Sequence, residues 1–260
     1  MPQRSVQLVL QYDGSGFAGW QRQATGRTVQ GELEAALARL CSAHIPVIGA
    51  GRTDAGVHAL GQAAGVRVPE AWTAPRLRAA LNAILPPDVW VASAAEMRSG
   101  FHARYSATAR RYRYVVGTDD AARSPFRKRW EWGLGAELDE EVLARVVQAI
   151  RGEHTFRAFA VRGTAPPTDM HRCMIIGAEW RRRAEEQGWV FEIEANRFLH
   201  HMVRFLVGTM VDMARGRRDP DDMARLLGSD DNRATSPPAP PHGLFLDAVR
   251  YPDDLYVPAS

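Results

Sequence analysis

The chain has 260 residues, enough for one large domain or two of ordinary size. Its 45% hydrophobic and 24% charged residues are typical of a globular protein and exclude a largely disordered chain. The formal net charge is only +3, and the two cysteines, Cys41 and Cys173, are too few for a disulfide framework or a zinc cage. With no signal-peptide pattern and no stretch as long as a membrane span, we expect a soluble cytoplasmic protein and no membrane partner.

Alternating strand and helix patterns in the first part of the chain follow the order β-α-β-β-α-β. Period-two alternation or a short apolar run predicts a strand, and apolar residues at helical spacing behind a capping residue predict a helix. The strands are predicted over residues 5–12, 46–49, 65–68 and 89–93, and the helices over residues 29–42, capped by Thr28, and 74–84, capped by Thr73.

The second part of the chain is predicted to repeat this order. Strands are predicted over residues 111–116, 173–181, 189–196 and 244–251, and helices over 140–150, capped by Asp139, and 198–214, with a proline-rich loop over 228–243. Two such halves, 1–105 and 106–260, predict an α+β fold of two ferredoxin-like units.

Basic residues are unevenly placed along the chain. Of the 33 Lys and Arg residues only Lys128 is a lysine, and no acidic residue occurs from Met97 to Thr118. Guanidinium groups bind phosphates and aromatic rings stack on unpaired bases, so the cluster as a whole favours nucleic acid. For any single member, a solvated strand face or a core aromatic is the better interpretation. The cluster comprises Arg98, Phe101, Arg104, Tyr105, Arg110, Arg111, Tyr112, Arg113 and Tyr114, followed by Arg123, Arg127, Lys128 and Arg129.

Nucleotide-cofactor and metal sites are not supported by the motifs. Residues 14–19 fit the dinucleotide fingerprint, but a polar, glycine-broken segment follows where a helix should open, and the β-α-β-β order is wrong for a doubly wound sheet. His200 and His201, placed on the last predicted long helix, would point about 100° apart and could not bind one ion together. We therefore expect neither a cofactor nor a metal.

The triplet Arg52-Thr53-Asp54 between Gly51 and Gly56 is a different kind of motif. Glycine permits unusual backbone angles and the close approach of a ligand. No second carboxylate is near in sequence, so a paired acid–base site is not supported. Nearby arginines favour an ionised aspartate that can act as nucleophile or base. From these residues alone, a turn aspartate bonded to its own backbone is an equally good interpretation.

This segment resembles the catalytic signature of the tRNA pseudouridine synthase A family, with Asp54 at the position of the catalytic aspartate. Other motifs of that family occur in the same order along nearly the whole chain, at residues 12–23, 28–30, 101–104, 109–114, 196–204 and 242–244. One departure is Phe205, where the family more often has asparagine.

The resemblance implies isomerisation of uridine to pseudouridine at positions 38, 39 and 40 of the tRNA anticodon stem-loop, without a cofactor. The N1–C1′ bond breaks, the base turns, and C5 bonds to C1′; the base must first leave its stack, at a cost of a few kcal/mol. It also implies the pseudouridine synthase fold, in which two ferredoxin-like halves form a mostly antiparallel sheet with helices packed on it. The expected partners are the tRNA anticodon arm and a second copy in a homodimer.

Roles for individual residues follow from the matched motif positions. Asp54 is expected to be the nucleophile, in a pocket between the two halves. Arg204 would pair with Asp54, and Arg52 would help to hold the base out. Tyr112 would stack on the extruded base, a contact of roughly 1–3 kcal/mol. The remaining substrate-binding residues are Leu244, in the apolar wall of the pocket, and Arg104 and Arg110.

Two other functions compete with this interpretation. A non-catalytic RNA-binding protein with two ferredoxin-like modules would explain the arginines and aromatic residues but not the motif from Gly51 to Gly56. An RNA hydrolase that uses Asp54 would leave an abasic site or a cut strand. Isomerisation leaves the length and mass of the RNA unchanged, and releases the hydrogen from uridine C5.

Overall fold

The computed structural model describes residues 2–161, 164, 171–184, 187–229 and 231–258, which form ten strands and five α-helices. This confirms the predicted α+β class. No helix in the described part of the chain is long and apolar enough to cross a membrane. In chain order the elements are β1 (Gln3–Tyr12), α1 (Val29–Cys41), β2 (Ile48–Gly49), β3 (His58–Pro69), α2 (Ala74–Ile84), β4 (Val89–Met97), β5 (Ala109–Gly117), β6 (Trp132–Gly133), α3 (Glu140–Ala149), β7 (Gly152–Thr155), β8 (Arg172–Arg182), β9 (Gly188–Ala195), α4 (Met202–Ala214), α5 (Asp222–Leu227) and β10 (Leu244–Arg250).

The chain forms two compact units, Met1–Ala109 with Leu246–Ser260, and Arg110–Phe245. Most of β10 therefore packs with the first unit, although it lies last in sequence. The predicted halves, 1–105 and 106–260, describe a repeat of topology and not two compact units, so that division stays a prediction.

In the first unit, β1 is the central strand, with β3 on one side and β4 on the other, both antiparallel. β2 and β10 both pair with β3. The predicted β-α-β-β-α-β order is confirmed, and the spatial order β4-β1-β3-β2 is that of a ferredoxin-like unit. Val6, Leu8 and Leu10 on β1 are completely buried, as alternation on a half-buried strand requires.

The helices of the first unit begin where their capping residues predict. The Thr28 hydroxyl accepts a hydrogen bond from the Gly31 amide at 3.2 Å, and Leu33 and Leu37 are buried. Thr73 stands at the N-cap position of α2, as predicted, but its side chain makes no capping bond. A proline in the first turn favours the start of α2 instead.

Strand β3 is far longer than the predicted 65–68 and begins four residues after Asp54. Its pattern is hidden because nearly all of its residues are buried on both faces and many are small. At Gly61, a Cβ atom would lie 2.3 Å from the Asp247 carbonyl oxygen on β10, so only glycine permits this close approach. Strand β3, which follows the Asp54 turn, is therefore packed closely between β1 and β10.

The second unit contains an antiparallel sheet in the order β5-β9-β8-β7, with β6 parallel to β5. The strands predicted over residues 173–181 and 189–196 are confirmed as the antiparallel pair β8 and β9, and Trp180 stacks on Phe191 across it with ring centroids 4.9 Å apart. Asp139 caps α3 by accepting from the Val142 amide at 3.0 Å, as predicted. The short elements β6, β7 and α5 were not predicted.

The last long helix, α4, begins at Met202 and not at residue 198. His201 stands at its N-cap with a left-handed φ of 61°, so His200 and His201 precede the helix. Their ring centroids lie 4.2 Å apart. The expectation that helical spacing turns these imidazoles away from each other is therefore wrong, and the absence of a metal stays a prediction.

Candidate active site

Asp54 lies half-buried in the turn between β2 and β3, and main-chain hydrogen bonds fix this turn from several directions. The Val57 amide donates to the Asp54 carbonyl at 3.2 Å, and the Trp20 amide donates to the Thr53 carbonyl at 3.0 Å. The Gln62 side-chain amide donates to the Gly51 carbonyl at 3.0 Å. The turn thus presents its aspartate from a rigid backbone, which is what a catalytic group requires.

Thr53 connects this turn to the buried core of the first unit. Its hydroxyl is hydrogen-bonded to the Tyr12 hydroxyl at 2.8 Å. Both side chains are buried, and burial raises the pKa of Tyr12 well above its ordinary value, so the phenol stays neutral. Trp20 and Phe17 pack beside the Tyr12 ring at centroid distances of 6.3 and 6.5 Å.

The glycine motif at residues 14–19 packs against the Asp54 turn. A Cβ on Gly14 would lie 2.0 Å from the Val57 carbonyl oxygen, and one on Gly19 would lie 2.8 Å from that of Thr53. Gly19 also has a φ of +101°, a conformation that favours glycine. The glycines that mimic a dinucleotide fingerprint therefore let this loop and the turn approach each other.

Side chains from distant parts of the first unit complete the support. The buried His58 accepts from the Gly14 amide through Nδ1 at 3.0 Å. Sequence reasoning did not identify Tyr12, Trp20 and Gln62 as supports, because their contacts with the turn become visible only when β1 and β3 are paired.

The two other predicted site residues of the first unit are both exposed. Arg52 lies in the same turn as Asp54. Arg104 lies in a separate turn, where the His102 Nδ1 accepts from the amides of Arg104 and Tyr105 at 3.2 Å each. Tyr105 is 77% exposed, and its ring lies 5.8 Å from the Arg104 guanidinium carbon.

Tyr112 lies on β5, opposite Ile193 of β9. Only 8% of the residue is exposed, and its ring meets Phe198 edge-on at 5.0 Å. Near the start of β5, Arg110 donates to the Asn196 carbonyl at 2.9 Å. Tyr112 is therefore held from the side by the segment that leads into α4.

Arg204 joins α4 to the proline-rich loop. Its Nε donates to the Ala239 carbonyl at 2.8 Å, and the Ala239 amide donates to the Arg204 carbonyl at 2.9 Å. Burial, together with the positive charge of Arg204, lowers the pKa of His242 below its ordinary value. Leu244, two residues after His242, is 5% exposed. Arg204 thus has a structural role in holding the proline-rich loop, which sequence reasoning did not identify.

The basic–aromatic cluster divides into internal and surface residues. Tyr114 is completely buried and donates its hydroxyl to the Pro240 carbonyl, and Phe101 is also in the core. Arg127 is ion-paired with Asp119 at 2.7 Å and Glu131 at 2.5 Å. Individual members are thus core or ion-paired residues, and nucleic-acid binding by the cluster as a whole stays a prediction.

Comparison with known proteins assigns the family. The family model described as tRNA pseudouridine synthase matches residues 8–106 and 146–252, which include the Asp54 turn and α4. A tRNA pseudouridine synthase A of Geobacter sp. (strain M21) is 36% identical over 252 residues, covering 96% of this chain and 100% of the relative. Those of Roseiflexus sp. (strain RS-1) and Solidesulfovibrio magneticus are 42% and 41% identical, covering 96% and 95% of this chain and 92% and 90% of their own lengths. The chain therefore belongs to the tRNA pseudouridine synthase family, and it is an isomerase.

Proposed function

We propose that this chain converts uridine to pseudouridine at positions 38, 39 and 40 of the tRNA anticodon stem-loop, with Asp54 as the essential carboxylate. The observation that carries the proposal is the turn itself. Bonds from Trp20, Gln62 and Tyr12 fix its backbone and Thr53, and Asp54 is presented from it only half-buried. A carboxylate held in this way needs little reorganisation when it meets a substrate.

The proposed reaction balances without a cofactor. The N1–C1′ bond breaks, the C5–C1′ bond forms, C5 loses its proton, and N1 gains one. No electrons are transferred to or from the RNA. An ionised Asp54 serves as the nucleophile, at C1′ or at C6, or alternatively as the base that removes a ribose proton.

The other predicted site residues take roles consistent with their surroundings. Tyr112, steadied by Phe198, stacks on the extruded base. Arg204 is the charge partner of Asp54, and its Nε bond to Ala239 fixes the plane of the guanidinium group. Arg52, in the same turn as Asp54, helps to hold the base out of the RNA helix.

Three further residues complete the proposed interaction with tRNA. Leu244 forms part of the apolar wall of the pocket, and Arg104 and Arg110 contact the RNA backbone. The enzyme works as a homodimer on the anticodon arm; this part of the proposal rests on the resemblance to the family.

The first prediction concerns Asp54. Asp54→Asn retains the shape of the side chain but removes its charge and nucleophilicity, so single-turnover pseudouridine formation should fall by several orders of magnitude. The affinity for tRNA should change little, because it depends mainly on phosphate and stacking contacts. Tritium release from tRNA labelled at uridine C5, with mapping of the modified positions, measures both activity and site.

Asp219→Asn is the matched control. Asp219 is an exposed turn aspartate that accepts from the Asp221 amide at 2.9 Å, a role that asparagine also fills. This variant should therefore keep most of the activity. If Asp54→Asn retained activity within tenfold of the wild type, Asp54 would not be the catalytic residue. A wild-type protein that binds tRNA but releases no tritium would instead be the RNA-binding module, and a change in RNA mass would indicate a hydrolase.

A further inference from the structure

The loop between β5 and β6, residues 118–131, exposes aromatic and basic side chains together. Phe126 is 88% exposed and Trp130 is 39% exposed. Lys128 and Arg129 lie between them in sequence and are also exposed, and the Arg129 guanidinium carbon lies 5.3 Å from the centre of the Trp130 ring. The proposed chemistry makes no use of these four residues.

An internal ion-pair network fixes the β5–β6 loop. Arg127 bonds both Asp119 and Glu131, and the Glu131 carboxylate is 2% exposed and also pairs with Arg183, beyond the end of β8. The hydrogen bond from Arg127 lowers the pKa of Asp119, so this carboxylate stays charged. Arg127 therefore anchors the loop, and the loop backbone loses little conformational freedom on binding.

The charges and the exposed aromatic side chains of this loop favour RNA as its partner. Of the three acidic residues in the loop, Asp119 and Glu131 are engaged by arginines within the protein and Asp120 is exposed, whereas the displayed Lys128 and Arg129 are cationic. Exposed aromatic rings beside cations are the combination that binds unpaired nucleotides, through stacking on the bases and pairing with the phosphates.

The position of the loop separates it from Tyr112. Gly117, the last residue of β5 before the loop, lies five positions after Tyr112, and at ~3.3 Å per residue this separation is about 17 Å. The end of the loop returns to the same place, because Trp132 on β6 pairs with Val116. A nucleotide on the loop is therefore several nucleotides away from one at Tyr112.

We propose that the β5–β6 loop is a second tRNA contact, in which an unpaired stretch of the substrate stacks on Phe126 and Trp130 and places its phosphates at Lys128 and Arg129. The inference rests on the proposed function, since it takes the same tRNA as the ligand. It adds a binding element that raises affinity for the substrate without taking part in the chemistry.

Photocrosslinking identifies the class of partner. The protein carrying p-benzoylphenylalanine in place of Phe126 is irradiated with tRNA, and the same residue in place of Trp90, which is 49% exposed on β4, is the control. An RNA adduct from position 126 that greatly exceeds that from position 90 is expected. A crosslink into a second copy of the chain would make the loop a protein interface and overturn the proposal.

Binding and kinetics test the energetic role. Phe126→Ala combined with Trp130→Ala should weaken tRNA binding at least tenfold and raise KM, while kcat changes less than twofold; Trp90→Ala should leave all three within twofold. Unchanged tRNA affinity in the double variant, with an unchanged thermal unfolding midpoint, would refute the loop contact. If position 126 crosslinks to RNA and the double variant loses affinity, but the wild type makes no pseudouridine, the proposed function fails and the loop contact stands.

Discussion

Among the contacts beneath Asp54, the proposed catalytic residue, one buried side-chain hydrogen bond connects its turn to β1. Thr53 precedes Asp54, and its hydroxyl reaches the Tyr12 hydroxyl on β1. Both partners are buried, so removing either hydroxyl breaks a buried hydrogen bond, which costs about 1–3 kcal/mol. The position of Asp54 therefore depends on a strand more than 40 residues earlier in the chain.

A double-mutant cycle tests this connection. Tyr12→Phe and Thr53→Val each remove one hydroxyl at nearly constant volume, and each should lower the free energy of unfolding by about 1–3 kcal/mol and reduce kcat. The double variant should cost less than the sum of the two, because both changes break the same bond. Urea unfolding and single-turnover kinetics measure the coupling, and strictly additive effects would show that the bond does not stabilise the turn.

Tyr112 gives a second prediction at this scale. Tyr112→Phe keeps the ring and should keep most of the activity. Tyr112→Ala removes the stacking surface, and the rate or affinity should fall about 10- to 100-fold, in line with roughly 1–3 kcal/mol per stacked base. Since the ring is buried against Phe198, the alanine variant should also be less stable, so Phe198→Leu serves as a packing control. An alanine variant no less active than this control would assign Tyr112 to the core alone.

Sequence reasoning identified Asp54 because glycines flank its triplet and because the motif resembles that of a known family. It did not identify the support from Tyr12, Gln62 and Trp20, because each lies in another element and meets the turn only after the strands pair. Long-range packing of this kind leaves no local pattern in the sequence.

Among the helices and strands, those with a regular sequence pattern were predicted well, and those with small residues or burial on both faces were not. The predicted bounds of α2 match the observed helix, and the bounds of α1 and α3 differ from the predicted ones by a single residue at the C-terminus. β3 was predicted too short because its glycines, alanines and two-sided burial erase the alternation. α4 starts four residues later than predicted because His201 adopts a left-handed conformation, which the apolar periodicity cannot reveal.

The proline-rich loop after α5 carries a pH-dependent contribution to stability. Burial and the charge of Arg204 lower the pKa of His242 from its ordinary 6.5, so the unfolded chain takes up this proton at a higher pH than the folded protein. The free energy of unfolding should therefore fall as the pH drops below about 6.5. His242→Gln should remove this part of the dependence, whereas His44→Gln, at an exposed histidine, should not. Urea midpoints at pH 7.5, 6.5 and 5.5 measure the effect, and parallel curves for wild type and His242→Gln would contradict it.

At the scale of the whole molecule, the affinity for RNA should depend on the surface arginines and not on the internal ones. Arg98 and Arg104 are exposed, whereas Arg127 is tied up in ion pairs. Arg98→Gln with Arg104→Gln should flatten the slope of log K against log salt concentration by about 0.7–0.9 for each cation removed. Arg39→Gln, at an exposed position on α1, is the control. A slope that is unchanged in the double variant would place the RNA elsewhere.

The pairing of β3 with β10 also has a consequence during synthesis of the protein. The first unit includes Leu246–Ser260, and ribosomes deliver this segment more than 130 residues after Ala109. At about 5–20 residues per second, the N-terminal part must wait on the order of 10 s for its last strand. Throughout that interval, the edge of β3 that will receive β10 has no strand from its own chain to cover it. The nascent chain is therefore most exposed to mispairing and chaperone capture at the strand that emerges from the Asp54 turn.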